Sequence, residues 1–300
     1  MNFKDFFFSY KTIINSNLNK KKFFKAFKKI FGYPYKYFLE QVRVFFLFNK
    51  VDLDKYEKSF NIKNLNLDDL FVHFNSDKGS KVNWAGQVVK GHNYSNLYEK
   101  YFSRFKSKKN LKILEIGSLV GASAASFLNY FDSPTICCLD ISPFQIKYFS
   151  KDIRKIYIDT QSKKILSDVS KYIDYNFDII IDDASHNKRD QIITLNAFLS
   201  KVESNGIYVI EDTCEYLRIP ELNHDDLNYG VNEFLKSINE TGKHLSSYLS
   251  DIEKKNIQDG IKNINYEKNN FIYNNKSLAE IVFIEKKWKI YDYIIMTYNK

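Results

Sequence analysis

Cysteine, proline and tryptophan are scarce in this chain, with three, four and two copies among 300 residues. Cys137, Cys138 and Cys214 have neither the paired spacing of a zinc site nor that of a disulfide framework. Cys137 and Cys138 are neighbours in an apolar segment, so in a strand they point to opposite faces. They read as buried apolar residues of a protein in a reducing cytoplasm. Proline is so rare that Pro34 and Pro143 act as punctuation. A run of eighteen uncharged apolar residues is also lacking, so no transmembrane helix is expected. The first residues, Met-Asn-Phe-Lys-Asp-Phe-Phe-Phe-Ser-Tyr, make a poor signal peptide because Asp5 and Lys11 interrupt their apolar stretch. No internal repeat is visible.

Apolar residues are plentiful at 44%, with 17% aromatic, enough for a substantial core. This length suits one large α/β domain with an extension, or two small domains. The formal charge of +9 suggests a nucleic-acid partner until it is mapped. Residues 1–50 hold eleven Lys or Arg against only Asp5 and Glu40, so the whole excess lies there and the remainder is neutral. No Asn-Pro-Pro-Tyr or similar base-flipping motif is present, so nucleic acid is not an expected partner.

Residues 1–68 read as a basic, aromatic, helical extension and 69–300 as the catalytic body. Within 20–31, Phe23, Phe24, Phe27, Ile30 and Phe31 fall on one helical face, with Gly32 and Pro34 expected to end the run. Such a stripe can lie on an anionic membrane surface, a peripheral contact. Its commoner role is to pack on the body or on a second subunit, as in a homo-oligomer, with the lysines solvated. From 111 onward strand and helix alternate. Strands are expected at 111–116, 135–140, 155–159, 177–182 and 207–211. Helices are expected to about 130, from Pro143, at 162–174, at 188–202 and at 225–241. Asn205-Gly206 reads as a turn, 253–270 as an exposed linker, and 271–273 with 279–285 as an antiparallel pair. Interleaved strands and helices imply right-handed crossovers and a mostly parallel, Rossmann-like α/β sheet.

Two motifs about thirty residues apart follow strand ends: Ile-Asp-Asp-Ala-Ser-His at 181–186 and Val-Ile-Glu-Asp-Thr at 209–213. Neighbouring strands lie about 5 Å apart, so carboxylates ending two of them can reach one ion. Oxygen ligation of that kind suits magnesium or another hard divalent cation. Alone, His186 would be a helix-start histidine with a local hydrogen bond, and Glu211-Asp212 a solvated loop. Together they read as a metal site. His73 and His92 are isolated and read as structural or exposed. Asp77 and Lys78 make either an ion pair over a cofactor or a solvated turn.

The turn after the first strand of the alternating region reads Glu115-Ile-Gly117-Ser118-Leu-Val-Gly121-Ala-Ser123. Glycines here let the backbone approach a ligand where the next helix begins. The following strand ends in Asp140, where a carboxylate can accept hydrogen bonds from ribose hydroxyls. A dinucleotide fingerprint needs Gly-x-Gly-x-x-Gly, and Leu119 stands at its second glycine. Glu115 has no phosphate to meet and suits a ligand with an ammonium group, so S-adenosylmethionine is the expected cofactor.

At this point the chain resembles the class I S-adenosylmethionine-dependent methyltransferases, and more narrowly the metal-dependent sugar O-methyltransferases of macrolide biosynthesis, the mycinamicin type. The resemblance runs from about Ser76 to Lys286. It is carried by Ser76-Asp77-Lys78-Gly79, His92 and Tyr94, Leu114-Glu115-Ile116-Gly117, the two acidic motifs and the last two strands. It implies a divalent cation, Mg2+ or a similar ion, held by Asp183, Glu211 and Asp212, with His186 as the base. It also implies cofactor contacts at Glu115, Gly117, Gly121 and Asp140, to which Ser118, Ser123, Gln161 and Asp182 are added. The acceptor would be a hydroxyl of a sugar, glycan or glycosylated small molecule. Relatives tend to read Gly-Asp-Gln-Ser-Asp where this chain has Asp159-Thr160-Gln161-Ser162-Lys163, and Ala122 replaces the second glycine of their Gly-Gly-Ser. Cephalosporin-hydroxylase-like proteins share similar acidic motifs. A noncatalytic S-adenosylmethionine-binding protein tethered by its extension is the alternative of a different class.

Overall fold

The computed structural model describes residues 1–19, 23–46, 50–56, 62, 65–213, 230–240, 248–273 and 276–287. They divide into two compact units, one of residues 1–111 with 115–159, the other of 112–114 with 160–300. The first unit holds α1 (Phe3–Asn19), α2 (Phe23–Phe46), β1 (Val51–Asp52), α3 (Leu53–Tyr56), α4 (Leu67–Phe74), β2 (Lys81–Trp84), β3 (Gln87–Lys90) and α5 (Ser95–Phe102). The units divide β4 (Lys112–Ile116), and the first continues with α6 (Ala122–Tyr130), β5 (Thr135–Asp140), β6 (Tyr148–Phe149) and β7 (Ile153–Tyr157). The second holds α7 (Lys163–Tyr172), β8 (Phe177–Asp182), α8 (Lys188–Phe198), β9 (Val202–Ile210), α9 (Val231–Glu240), α10 (Asp251–Gly260), β10 (Ile261–Tyr273) and β11 (Lys276–Lys286).

Seven strands form one mixed sheet in the order β10-β11-β9-β8-β4-β5-β7. β5 pairs with β7 and β8 with β9 in parallel, while β11 runs antiparallel to both β9 and β10. This is the Rossmann-like sheet with a terminal antiparallel pair expected from the alternation of elements. All six residues of β8 are buried, as a strand covered on both faces requires.

Four local expectations are corrected. The helix predicted to end at Gly32 and Pro34 runs through both. Proline has no N–H for the carbonyl four residues back, and here the Tyr10 hydroxyl of α1 donates to that carbonyl, Ile30 O, at 3.3 Å. The helix expected from Pro143 is a single 3-10 turn, Pro143–Gln145. The Lys50 ammonium donates to Phe144 O and Ile146 O, and Tyr148 then pairs with Val51. Asn205-Gly206 is no turn but an irregularity within continuous β9, with Asn205 at φ 63°. A Cβ on Gly206 would lie 2.8 Å from Asp178 O, so glycine is what admits this close approach. Residues 253–270, expected as linker, form most of α10 and β10. The start of α10 is fixed by a capping box between Ser250 and Glu253. Of the expected 225–241 helix, 231–240 is helical and 225–229 lie outside the described residues, as does Cys214.

The helices of the basic extension pack within the first unit. Asp5, fully buried, accepts two bonds from Arg154, at 2.8 Å from Nε and 2.7 Å from Nη2. Ser9 Oγ accepts the backbone N–H of Tyr157 at the edge of β7. Glu40 lies 2.7 Å from Lys50 and 3.4 Å from Lys155, all three buried. No helix among the described residues is long and apolar enough to cross a membrane.

Two outcomes follow. Replacing Arg154 by Leu strands the buried Asp5 carboxylate and should cost about 3 kcal/mol in denaturant unfolding. Adding Asp5→Leu should recover part of that loss; no recovery would mean that the pair is not coupled. The phenols of Tyr33 and Tyr157 are pushed well above their ordinary 10.0, mainly by burial, with Asp159 adding to it at Tyr157. The fold holds these protons more tightly than the unfolded chain, so their contribution is complete below pH 10.0 and lost as pH climbs through the raised values. A Tyr33→Phe, Tyr157→Phe double variant should therefore show a flatter alkaline limb in stability measured against pH.

Candidate functional site

In the first unit the turn after β4 is built from left-handed backbone. Gly117, Leu119 and Gly121 have φ of 88°, 46° and 80°, and Gly117 N–H reaches across to Leu139 O at 2.8 Å. Leu119 is the costly member, since a side chain in that region is strained. It is held there because its N–H donates to Asp140 Oδ2 at 2.8 Å, while Ser142 N–H donates to Oδ1 at 2.7 Å. Asp140 thus anchors the turn to the end of β5. Burial raises its pKa, and the two N–H bonds offset part of that rise. Each carboxylate oxygen keeps a second lone-pair direction for a ligand hydroxyl.

Gly121 begins α6 as its N-cap. A Cβ there would lie 2.8 Å from Ile146 Cγ2 at a φ that only glycine adopts without strain. Glu115 is fully buried, and the Ser123 hydroxyl donates to its Oε1. Ser118 Oγ donates to Glu115 O at 3.2 Å. The structure therefore joins Glu115, Gly117, Ser118, Gly121, Ser123 and Asp140 around one turn. Upstream, Ser76–Gly79 is stitched to 91–94 by His92 N–H on Asp77 O and Tyr94 N–H on Lys78 O. Lys78 is buried while Asp77 is exposed.

The second unit carries the acidic motifs. Asp182 ends β8 opposite Ile210 of β9, and Glu211 N–H on Asp182 O, at 3.0 Å, is the last rung between these two strands. Beyond it, Asp183, His186 and Asp212 each bring a ligand atom within 4.8 Å of the others. His186 and Asp212 reach this arrangement through left-handed backbone, φ 55° and 50°. Non-glycine outliers of this kind persist where surrounding bonds over-determine them.

Those bonds are visible. Asn187 caps α8 by accepting Arg189 N–H and Asp190 N–H at 3.0 and 3.4 Å. Asp190, buried, accepts from the Ser185 hydroxyl at 2.8 Å and from Arg189 at 2.9 Å. Arg189 also donates to Gln161 O, and the Gln191 amide donates to Glu211 O at 3.0 Å. His186 Nε2 stands 3.8 Å from Asp183 Oδ1, and its buried Nδ1 has no hydrogen-bond partner among the described residues. Burial, then the charge of Asp183, hold the Asp182 carboxyl well above the usual range, and the Ala184 N–H offsets part. The fully buried Tyr208 phenol is raised in the same way, by burial and then by Asp182.

Of the three expected ligands, the structure gathers Asp183 and Asp212 with His186. Glu211 is buried and, among the described residues, stands outside that group. The Gln161 side chain is exposed, and Ser162 caps α7 by accepting Ile165 N–H. Asp190, Arg189, Gln191 and Tyr208 were not singled out from sequence. Asp190 could have been found as an acid in the first turn of a helix, whereas Tyr208 hides in an apolar strand. Two carboxylates and an imidazole whose ligand atoms lie within 4.8 Å of one another could hold a hard or borderline divalent ion.

No protein-family model matches the chain, and no curated protein matches it by sequence. Among solved structures it is similar to the MycE methyltransferase from the mycinamycin biosynthetic pathway in complex with Mg and SAH. The TM-score is 0.53 at 21% identity, covering 74% of this chain and 55% of that one. Similarity to the same methyltransferase with Mg, SAH and mycinamycin VI has a TM-score of 0.51 at 20% identity, with 74% and 55% covered. The chain thus spans little more than half the length of that protein. It has the fold of the class I methyltransferases.

Mn2+ titrated into the full chain and followed by electron paramagnetic resonance should bind at one site. Asp183→Asn and Asp212→Asn should each weaken it by more than the roughly tenfold typical of losing an outer partner. Unchanged binding in both variants would remove the cluster as a metal centre.

Proposed function

We propose that this chain, built on the class I methyltransferase fold, is an S-adenosylmethionine-dependent O-methyltransferase acting on a hydroxyl of a sugar or a glycosylated small molecule with the help of a divalent cation. The observation that carries this reading is the Asp183, His186 and Asp212 group beyond the ends of β8 and β9. That the similar MycE structures are complexes with Mg and SAH, one also with mycinamycin VI, supports it.

Glu115, Gly117, Ser118, Gly121, Ser123 and Asp140 would hold S-adenosylmethionine, with Asp140 receiving hydroxyl groups and fixing the turn through Leu119. Asp183 and Asp212 would hold the cation. When bound, the ion lowers the pKa of a hydroxyl it ligates and fixes that hydroxyl's orientation. His186 would take the hydroxyl proton as the methyl group passes from sulfur to oxygen, leaving the sulfonium's positive charge on an imidazolium beside Asp183. The departing thioether is neutral and needs no acid, so the protein's contribution is alignment and proton removal.

Calorimetry with S-adenosylmethionine, with and without Mg2+, tests the cofactor assignment; absence of any binding heat would end it. Methyl transfer to a deoxysugar glycoside with vicinal hydroxyls, and to catechol as a second probe, tests the rest. His186→Ala should lower turnover by about 100-fold or more while leaving affinity for cofactor and Mn2+ intact. Equal loss of Mn2+ affinity would make His186 a ligand instead of the base.

A further inference from the structure

The α1 and α2 pair carries an apolar surface that its own packing does not use. Phe6, Ile13, Tyr33 and Glu40 turn inward and are buried. Phe27, Phe31, Tyr35 and Phe38, at successive spacings of four, four and three, share the other side of α2 and are 60–65% exposed. Phe3 and Phe7, one turn apart on α1, are also exposed. Six large aromatics left in water on two helices call for an occupant.

Charge selects it. Residues 1–50 carry eleven Lys or Arg and two acids. Both acids are withdrawn from the surface, Asp5 onto Arg154 and Glu40 onto Lys50 and Lys155. Lys4, Lys11, Lys28, Lys29 and Lys36 are exposed. Among the described residues the outward face of these helices is thus aromatic and cationic. A second copy would bring like charges together. Aromatic and lysine side chains on one helix surface suit the boundary between headgroups and acyl chains of an anionic bilayer.

We infer that α1 and α2 dock this protein on anionic lipid, with Phe27, Phe31 and Phe38 entering the headgroup boundary and Lys28 and Lys36 meeting lipid phosphates. The contact is peripheral, since no described helix is long and apolar enough to span. On the function proposed above, this contact would make the extension a device that localises the protein to membranes.

Cosedimentation of the full chain with vesicles tests this, comparing phosphatidylcholine alone with phosphatidylcholine mixed with phosphatidylglycerol. Binding should favour the anionic vesicles and weaken as salt rises. The Phe27→Ser, Phe31→Ser, Phe38→Ser triple variant should lower partitioning about tenfold or more with an unchanged unfolding midpoint, because these side chains are already in water. Lys28→Gln and Lys36→Gln should each lower it about fivefold. The inference is overturned by no vesicle binding, or by binding that the aromatic variant leaves intact. It is equally overturned if the aromatics instead support a concentration-dependent dimer in sedimentation velocity, or if the lysines serve RNA retention without lipid binding.

Discussion

A strand buried on both faces can offer polar chemistry only where it ends, and the candidate metal centre follows from that constraint. Through β8 every side chain is enclosed, so the first positions at which a carboxylate can meet solvent or an ion come at 183 and beyond. The Glu211 N–H on Asp182 O closes the ladder, and both chains must then turn sharply. They do so at His186 and Asp212, in backbone conformations that cost of order 1–3 kcal/mol each. The Asn187 cap, the Ser185–Asp190–Arg189 cluster and Gln191 on Glu211 offset that cost and hold the donors in place. The same logic governs the glycine turn, where Asp140 at the end of β5 holds Leu119 in an otherwise unfavourable region.

Legibility in the sequence tracked how local the determining interaction was. Thr135–Asp140 and Phe177–Asp182 are the strands expected, because a continuous apolar run closed by an acid needs no distant partner to define it. Asp183, Glu211 and Asp212 were legible as candidate ligands for the same reason, since each follows such a run within two residues, with His186 close behind; that His186 rather than Glu211 joins the two aspartates was not legible. The misses came from side chains far away in sequence. Nothing near Pro34 indicates that Tyr10 will take the orphaned Ile30 carbonyl, and nothing near Pro143 indicates that Lys50 will claim the carbonyls a helix would use. One miss was local: Ser250 and Glu253 spell a capping box inside a stretch whose lysines and asparagines suggested a linker.

The buried charges of the first unit belong to a different balance. Enclosing Glu40 with Lys50 and Lys155, and Asp5 against the half-buried Arg154, removes four charges from water, and such clusters contribute more to a unique register than to net stability. The Asp5–Arg154 and Glu40–Lys155 contacts tie the helices of the extension to β7, at sequence separations that no apolar stripe would specify. They also sort the charge of residues 1–50, keeping its two acids and Lys50 inside while Lys4, Lys11, Lys28, Lys29 and Lys36 are exposed.

The two margins of the sheet are guarded by unlike means. At β7 the Ser9 hydroxyl occupies a backbone donor and α1 lies along the strand, so cover prevents another chain from adding there. At the opposite margin β10 runs for thirteen residues, where protection rests on polar side chains such as Lys262, Asn263, Asn265 and Glu267. Crystallisation or storage that masks those charges would therefore invite templated oligomers to grow from the β10 side alone.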